Sequence, residues 1–217
     1  MPNFQNEKKL VLDYWNEVDK CNNQDLEKII SKYTSNNFHM RCTHPFNELN
    51  GVEQVANQLW VPIKKSFKPI QRRLDIFYAG ENSLDENGGV WISSMGHLMG
   101  VFNKNFFGLQ PHYKSSLLRF AEFYKVEGNK ITEGAIFLDI FNFMQQLGLS
   151  IIPESTGLVC VTPGPMNHKG LKFDLSDKNE GKKTLELIHR MRDRLVKGSN
   201  MKSFKEELEL DWKEDMI

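Results

Sequence analysis

Cysteine is scarce in this sequence: Cys21, Cys42 and Cys160 are its three copies, far apart and without CxxC spacing. A disulfide framework and a cysteine-based zinc site are excluded as organising features, and the thiols read as buried or unremarkable side chains. Excess charge is also missing, since 28 basic residues balance 28 acidic ones. No global field therefore favours nucleic acid or an anionic membrane as a partner. No charged-then-apolar region opens the chain and no apolar run reaches the length of about eighteen residues that a spanning helix needs. Cytoplasmic is the expected location. His39, His44 and His97 share no ligand spacing such as HxxxH, so they are not read as metal ligands.

What the chain has in quantity is aromatic surface to bury. Fifteen Phe and four Trp accompany an ordinary 40% hydrophobic content, which suits a soluble domain with a large apolar interior. A length of 217 residues accommodates one domain of about 100–150 residues with something appended.

Leu10, Val11, Tyr14, Trp15 and Val18 recur at helical spacing and Asn22-Asn23 ends the pattern, predicting an amphipathic first helix. A shorter helix carrying Leu26, Ile29, Ile30 and Tyr33 follows, then a strand over Phe38–Cys42 that His44-Pro45 stops. Gly51 precedes a third helix, with Val52, Val55, Leu59 and Trp60 on one side, broken by Pro62. From Arg72 the pattern turns extended: a strand to Tyr78, a turn over Asn82–Gly89, and long strands over Val90–Phe102, Lys114–Val126 and Lys130 to about Phe141. Gly96 and Gly100 mark a bend in the second of these. Helices first and antiparallel strands afterwards predict an α+β fold, a curved antiparallel sheet wrapped around the N-terminal helices as a cone-shaped barrel with a pocket at one end.

Four sets of residues in this order carry a resemblance. They are His44-Pro45 with Glu48-Leu49-Asn50-Gly51-Val52-Glu53; Gly96-His97-Leu98-Met99-Gly100-Val101-Phe102 with Phe107-Gly108-Leu109-Gln110-Pro111; Glu127-Gly128-Asn129-Lys130-Ile131-Thr132-Glu133; and Asp139 with Met144-Gln145-Gln146-Leu147-Gly148. Together they resemble the SnoaL-like ester-cyclase branch of the nuclear-transport-factor-like superfamily, over residues 1–148. The resemblance implies a pocket Asp acting as general acid/base without metal or cofactor, and this position falls on Asp139. The place of the His that often assists it is Glu122 here. Two carboxylates in an apolar pocket push one pKa upward, so acid/base chemistry is expected even where cyclisation as such is not implied.

The residues support part of this independently. Period-two alternation puts Leu118, Phe120, Glu122, Tyr124 and Val126 on one face, making Glu122 a lone acid in an apolar row, with Arg119 and Lys125 opposite. The last strand is apolar on both faces. The face with Ile131, Glu133, Ala135, Phe137 and Asp139 is chosen for the pocket because both acids then lie on it. The candidate catalytic residues are Asp139 and Glu122, and the candidate substrate-binding residues are Trp15, Tyr14, Trp60, His97, Phe120, Tyr124 and Phe137. The bland alternatives are an ion pair of Glu122 with Arg41, Arg119 or a Lys, and Asp139 as a cap where the sheet gives way to the Phe141–Gln146 segment. An epoxide-hydrolase-like Asp-Arg-Asp set is set aside because Arg119 lies outward. The expected function is cofactor-independent acid/base chemistry on a small apolar carbonyl compound, by isomerisation, aldol cyclisation or hydrolysis. The alternative is a non-catalytic binding or interaction module.

A homodimer is expected through the outer sheet face, using Trp91-Ile92, Leu117 and Phe123. Residues 149–181 read as an irregular linker and 182–217 as a helical extension. Leu187, Ile188, Met191 and Leu195 fall as Leu10, Val11, Tyr14 and Val18 do, so the extension reads either as the truncated start of a second copy or as an unrelated amphipathic helix.

Overall fold

The computed structural model describes residues 4–82, 88–149 and 167–197, with positions 153, 164, 165, 205 and 209. Cys160, Pro163 and the continuation of the half-repeat past Lys197 lie outside the described residues. The chain divides into two compact units, Met1–Asp174 and Leu175–Ile217. Among the described residues no helix is long and apolar enough to cross a membrane.

The first unit opens with α1 (Gln5–Lys20) and α2 (Leu26–Tyr33), followed by β1 (Thr34–Cys42) and the short β2 (Glu48–Asn50). Helix α3 (Gly51–Gln54) continues through a π-helical stretch, Val55–Trp60, into α4 (Val61–Ser66). The helix therefore does not stop at Pro62, because Pro62 sits in the first turn of α4, where its missing N–H costs little. The widened turn before it absorbs the change in hydrogen-bond pattern.

Strands β3 (Phe67–Glu81), β4 (Val90–Phe102), β5 (Ser115–Glu127) and β6 (Lys130–Leu138) follow, and α5 (Ile140–Gln146) ends the fold. The sheet order is β2-β1-β6-β5-β4-β3, with β1 parallel to β6 and the other pairs antiparallel. The architecture is the expected α+β one, but the sheet curves without closing into a barrel: β2 and β3 are its two ends. Pro69 is tolerated in β3 because an end strand has a side with no ladder to make.

One face of this sheet packs on α1. Tyr14 and Trp15 meet Tyr124 edge-on, and Trp15 also meets Phe77; all four side chains are buried. The register settles which face of β6 looks inward. Glu122 pairs with Ile136, Tyr124 with Gly134 and Phe120 with Leu138, so Gly134, Ile136 and Leu138 line the interior and Phe137 does not. Gly134 must be small, since a Cβ there would lie 3.2 Å from the Tyr124 ring and would meet Met40 as well.

Residues 170–173 lie along the outer edge of β3. The Phe77 N–H donates to the Gly170 carbonyl, the Lys172 N–H donates to the Phe77 carbonyl, and Phe173 packs on Phe77. This edge contact satisfies backbone groups that an open strand would expose. The second unit holds α6 (Lys178–Lys197), whose Leu185, Leu187, Ile188 and Leu195 are exposed.

Candidate active site

Three elements deliver one charged side chain each to the same buried point. The inward row of β5, from Ser116 to Val126, is buried throughout, and Glu122 is fully inaccessible within it. Strand β3 supplies Arg72 by breaking its own alternation. Arg72 and Leu74 stand opposite the inward Leu98 and Gly96, the register shifts at Asp75, and Phe77 then stands opposite the inward Ser94. A bulge here lets Arg72 and Phe77, five residues apart, face the same side. The last turn of α1 supplies Asp19.

The Arg72 guanidinium joins the two acids. Its Nη1 donates to Glu122 Oε1 at 2.7 Å, while Nε and Nη2 donate to the two carboxylate oxygens of Asp19 at 2.9 and 3.2 Å. Its flat faces are covered by aromatic rings, with Cζ 4.9 Å from the Trp15 ring centroid, 5.0 Å from Phe120 and 5.4 Å from Trp60. The Tyr124 hydroxyl donates to the other Glu122 oxygen at 3.1 Å. Bidentate geometry and cation–π contact are what guanidinium provides and an ammonium does not.

Burial and pairing act in opposite directions on these groups. Burial raises the Glu122 pKa above the ordinary glutamate value and prevails over Arg72, whose charge and hydrogen bond pull it down. Burial on its own would lower the Arg72 pKa, but Asp19 and Glu122 outweigh it and the guanidinium is held more firmly protonated than usual. The Tyr14 and Tyr124 hydroxyls are both pushed upward by burial. Both tyrosines therefore remain neutral donors.

Among the described residues, three buried donors of this cluster have no hydrogen-bond partner: the Tyr14 hydroxyl, Trp15 Nε1 and Trp60 Nε1. Trp60 Nε1 is near enough to the Tyr14 hydroxyl to ease its ionisation, and Trp15 Nε1 does the same at Tyr124, yet neither indole reaches hydrogen-bonding geometry. Unmet buried donors cost about 1–3 kcal/mol each, and an oxygen-bearing ligand would relieve that cost. Among the described residues no three His, Cys, Asp or Glu side chains gather as a metal site; between Asp19 and Glu122 the place of a cation is taken by Arg72.

The structure thus brings Tyr14, Trp15, Trp60, Phe120, Glu122 and Tyr124 together and leaves three candidates elsewhere. Asp139 does not meet Glu122. It caps α5, accepting the Asn142 N–H at 2.9 Å, and stands level with Arg119, whose carbonyl accepts its own N–H. Three residues of strand, about 10 Å, separate that level from Glu122. Phe137 is on the outer face, 55% exposed, against Phe123. His97 is also outward, opposite Arg73 and Arg119, with Nδ1 3.2 Å from the Asp75 carboxylate. Arg119 is outward as expected, but a carboxylate–arginine–carboxylate set does exist, built on Arg72. Arg41, the other proposed partner of Glu122, pairs with Glu133. Asp19 and Arg72 left one trace in the sequence: a lone acid in an apolar row requires a cation on a neighbouring inward face.

No protein-family model matches the chain, and comparison with curated proteins finds no match. Solved structures do match. A candidate SnoaL-like polyketide cyclase from Jannaschia sp. CCS1 is 15% identical with a TM-score of 0.53, covering 70% of this chain and 97% of its own. AclR of Streptomyces galilaeus, a candidate hydroxylase, is 21% identical with a TM-score of 0.51, over 65% of this chain and 96% of its own. IdmH of Streptomyces antibioticus, a candidate polyketide cyclase, is 11% identical with a TM-score of 0.51, over 65% and 97%. These superpositions show that the chain carries the SnoaL-like α+β fold.

Proposed function

We propose that the chain is a cofactor-independent acid/base enzyme acting on a small apolar molecule that bears a carbonyl or ether oxygen, with Glu122 and Asp19 as the proton-transferring pair. The observation that carries this reading is the fully buried Glu122 carboxylate sharing one guanidinium with Asp19. A group inclined by burial to keep its proton is suited to donate it to a substrate oxygen. Asp19, 16% exposed at its side chain, is the member through which water or a substrate carbon would give up a proton. Arg72 keeps the two acids at a fixed separation. The unpaired Tyr14, Trp15 and Trp60 donors would hydrogen-bond the oxygen on which negative charge develops. Hydrolysis, isomerisation and aldol closure all use this arrangement, and the solved neighbours described as candidate cyclases favour chemistry at a carbonyl.

The test is turnover of a panel of apolar ketones, esters and epoxides, chosen from small molecules that co-purify with the protein. Glu122→Gln and Asp19→Asn should each lower turnover by about two orders of magnitude or more. Undiminished turnover in Glu122→Gln rejects the reading, whereas ligand binding unchanged in both variants, with no reaction in any protein, supports a non-catalytic binding module.

We also propose a homodimer through the outer sheet face, which carries an open depression of about 380 Å³ bordered by Tyr78, Trp91, Phe123 and Ala135. Ile92 is not part of it, because it faces inward and is buried. Sedimentation showing only a 25 kDa species at tens of micromolar would exclude the dimer.

A further inference from the structure

We propose that Tyr124 is the catalytic residue that touches the substrate oxygen: its hydroxyl oxygen receives the Glu122 proton while its own proton passes to the substrate. This relay deepens the acid/base reading above and rests on it.

Glu122 has no oxygen left to offer a substrate. Oε1 accepts from Arg72 Nη1 at 2.7 Å and Oε2 accepts from the Tyr124 hydroxyl at 3.1 Å, and the side chain is 0% exposed. The two oxygens differ as seats for a proton. On Oε1 a proton would sit among the donors and positive charge of Arg72, whereas on Oε2 it leaves that charge-assisted contact intact. The acid therefore carries its proton on Oε2, facing Tyr124. Glu122 and Tyr124 are two residues apart in the inward row of β5, so the strand period itself places the hydroxyl beside that oxygen.

A hydroxyl has one hydrogen and two acceptor lone pairs, so the contact can run either way. When Glu122 is ionised, Tyr124 donates to Oε2. When Glu122 is protonated, Oε2 donates to the Tyr124 oxygen and the tyrosine hydrogen turns elsewhere. Tyr14 and Trp15, whose rings meet Tyr124 at 5.6 and 5.9 Å, hold two of the unpaired donors of the site. A substrate oxygen held by those donors is then also the acceptor for the Tyr124 hydrogen.

In the step, the Glu122 Oε2–H bond breaks as an O–H bond forms on Tyr124. The original Tyr124 O–H bond breaks and its proton bonds to a lone pair of the substrate oxygen. Glu122 is left as a carboxylate against Arg72, Tyr124 ends neutral as it began, and the proton lost by water or a substrate carbon goes to Asp19. Burial holds the Tyr124 hydroxyl far from ionisation, so the two transfers occur together and not through a tyrosinate. The other titratable neighbours of Glu122 are Arg72, Asp19, Tyr14 and Cys42. Arg72 stays protonated, and burial keeps the Tyr14 hydroxyl and the Cys42 thiol neutral.

The experiment compares turnover and its pH profile in the full chain and in Tyr124→Phe, Glu122→Gln and the double variant, on the substrate found in the panel above. Each single variant should lose about two orders of magnitude or more, and the double should lose no more than the worse single, because the two groups act as one unit. In the original protein turnover should fall as pH rises through the Glu122 midpoint, where the acid loses its proton. What turnover remains in Tyr124→Phe should lack that limb, whereas a merely structural loss would lower the profile and keep it, overturning the proposal. Turnover of Tyr124→Phe within about threefold of the original, or losses that multiply in the double variant, would overturn it as well. Should Tyr124→Phe not fold, turnover of the original protein in mixtures of light and heavy water decides. Two protons moving together give a curved dependence on deuterium fraction, and a straight or flat line overturns the relay. Failure of the acid/base reading is distinguishable, since undiminished turnover in Glu122→Gln removes reading and relay together, while an impaired Glu122→Gln beside an active Tyr124→Phe removes the relay alone.

Discussion

Two arginine–carboxylate pairs on the same sheet have opposite consequences. Arg41 and Glu133 meet at 3.1 Å with side chains 54% and 33% exposed, while Arg72 and Glu122 meet at 2.7 Å with side chains 6% and 0% exposed. The contact is chemically the same. On the surface, water competes for both partners and the pair contributes about 0–1 kcal/mol. In the interior each charge has given up its hydration, so each depends on the other, on Asp19 and on the rings around Arg72. Burial, rather than pairing, is what turns one of these pairs into a candidate site.

The comparison breaks most visibly at the arginines. Arg72→Met should destabilise the protein by about 3–5 kcal/mol in urea unfolding, because it takes away the guanidinium partner of the fully buried Glu122, and Arg41→Met by no more than about 1 kcal/mol. Equal losses would mean that the interior pair is as well solvated as the surface one.

A pH series sharpens the difference. The Glu122 pKa in the folded state is raised above the ordinary glutamate value of 4.5. Its contribution to stability is therefore fully present below pH 4.5 and is lost as pH rises through the raised value. Glu122→Gln carries no such charge, so its stability relative to the original protein should improve as pH rises across that window, as melting temperatures at successive pH values would show. A difference independent of pH would mean that Glu122 titrates alike in both states.

Asp139→Ala should cost about 1 kcal/mol through loss of the α5 cap and leave turnover unchanged; a fall in turnover without a fall in stability would return Asp139 to the chemistry. Phe137→Ser, on the outer face, should change monomer stability by no more than about 0.5 kcal/mol, which chemical denaturation at low protein concentration would measure.

These same residues show what the sequence could disclose. Strand β5 and helix α1 were legible because each has a single apolar face, so period alone orients Glu122, Tyr124, Tyr14 and Trp15. Strand β6 is apolar on both faces, and placing the acid of Asp139 inward chose the wrong one; Gly134, which must be small beneath Tyr124, was the better guide. Arg72 could not be read from alternation at all, since the bulge at Asp75 shifts the phase between Arg72 and Phe77. Asp19 sits in the final turn of α1 among polar residues, and only the packing of that turn on β3 and α4 gives it a role.

The central claim is that Glu122 is a proton-holding acid and not a permanent anion. A carboxyl-carbon NMR titration of Glu122 in the unaltered protein tests it most directly. The account predicts a midpoint above 4.5, with desolvation prevailing over Arg72; a midpoint at or below 4.5 would show that Arg72 prevails and that Glu122 is a fixed structural anion.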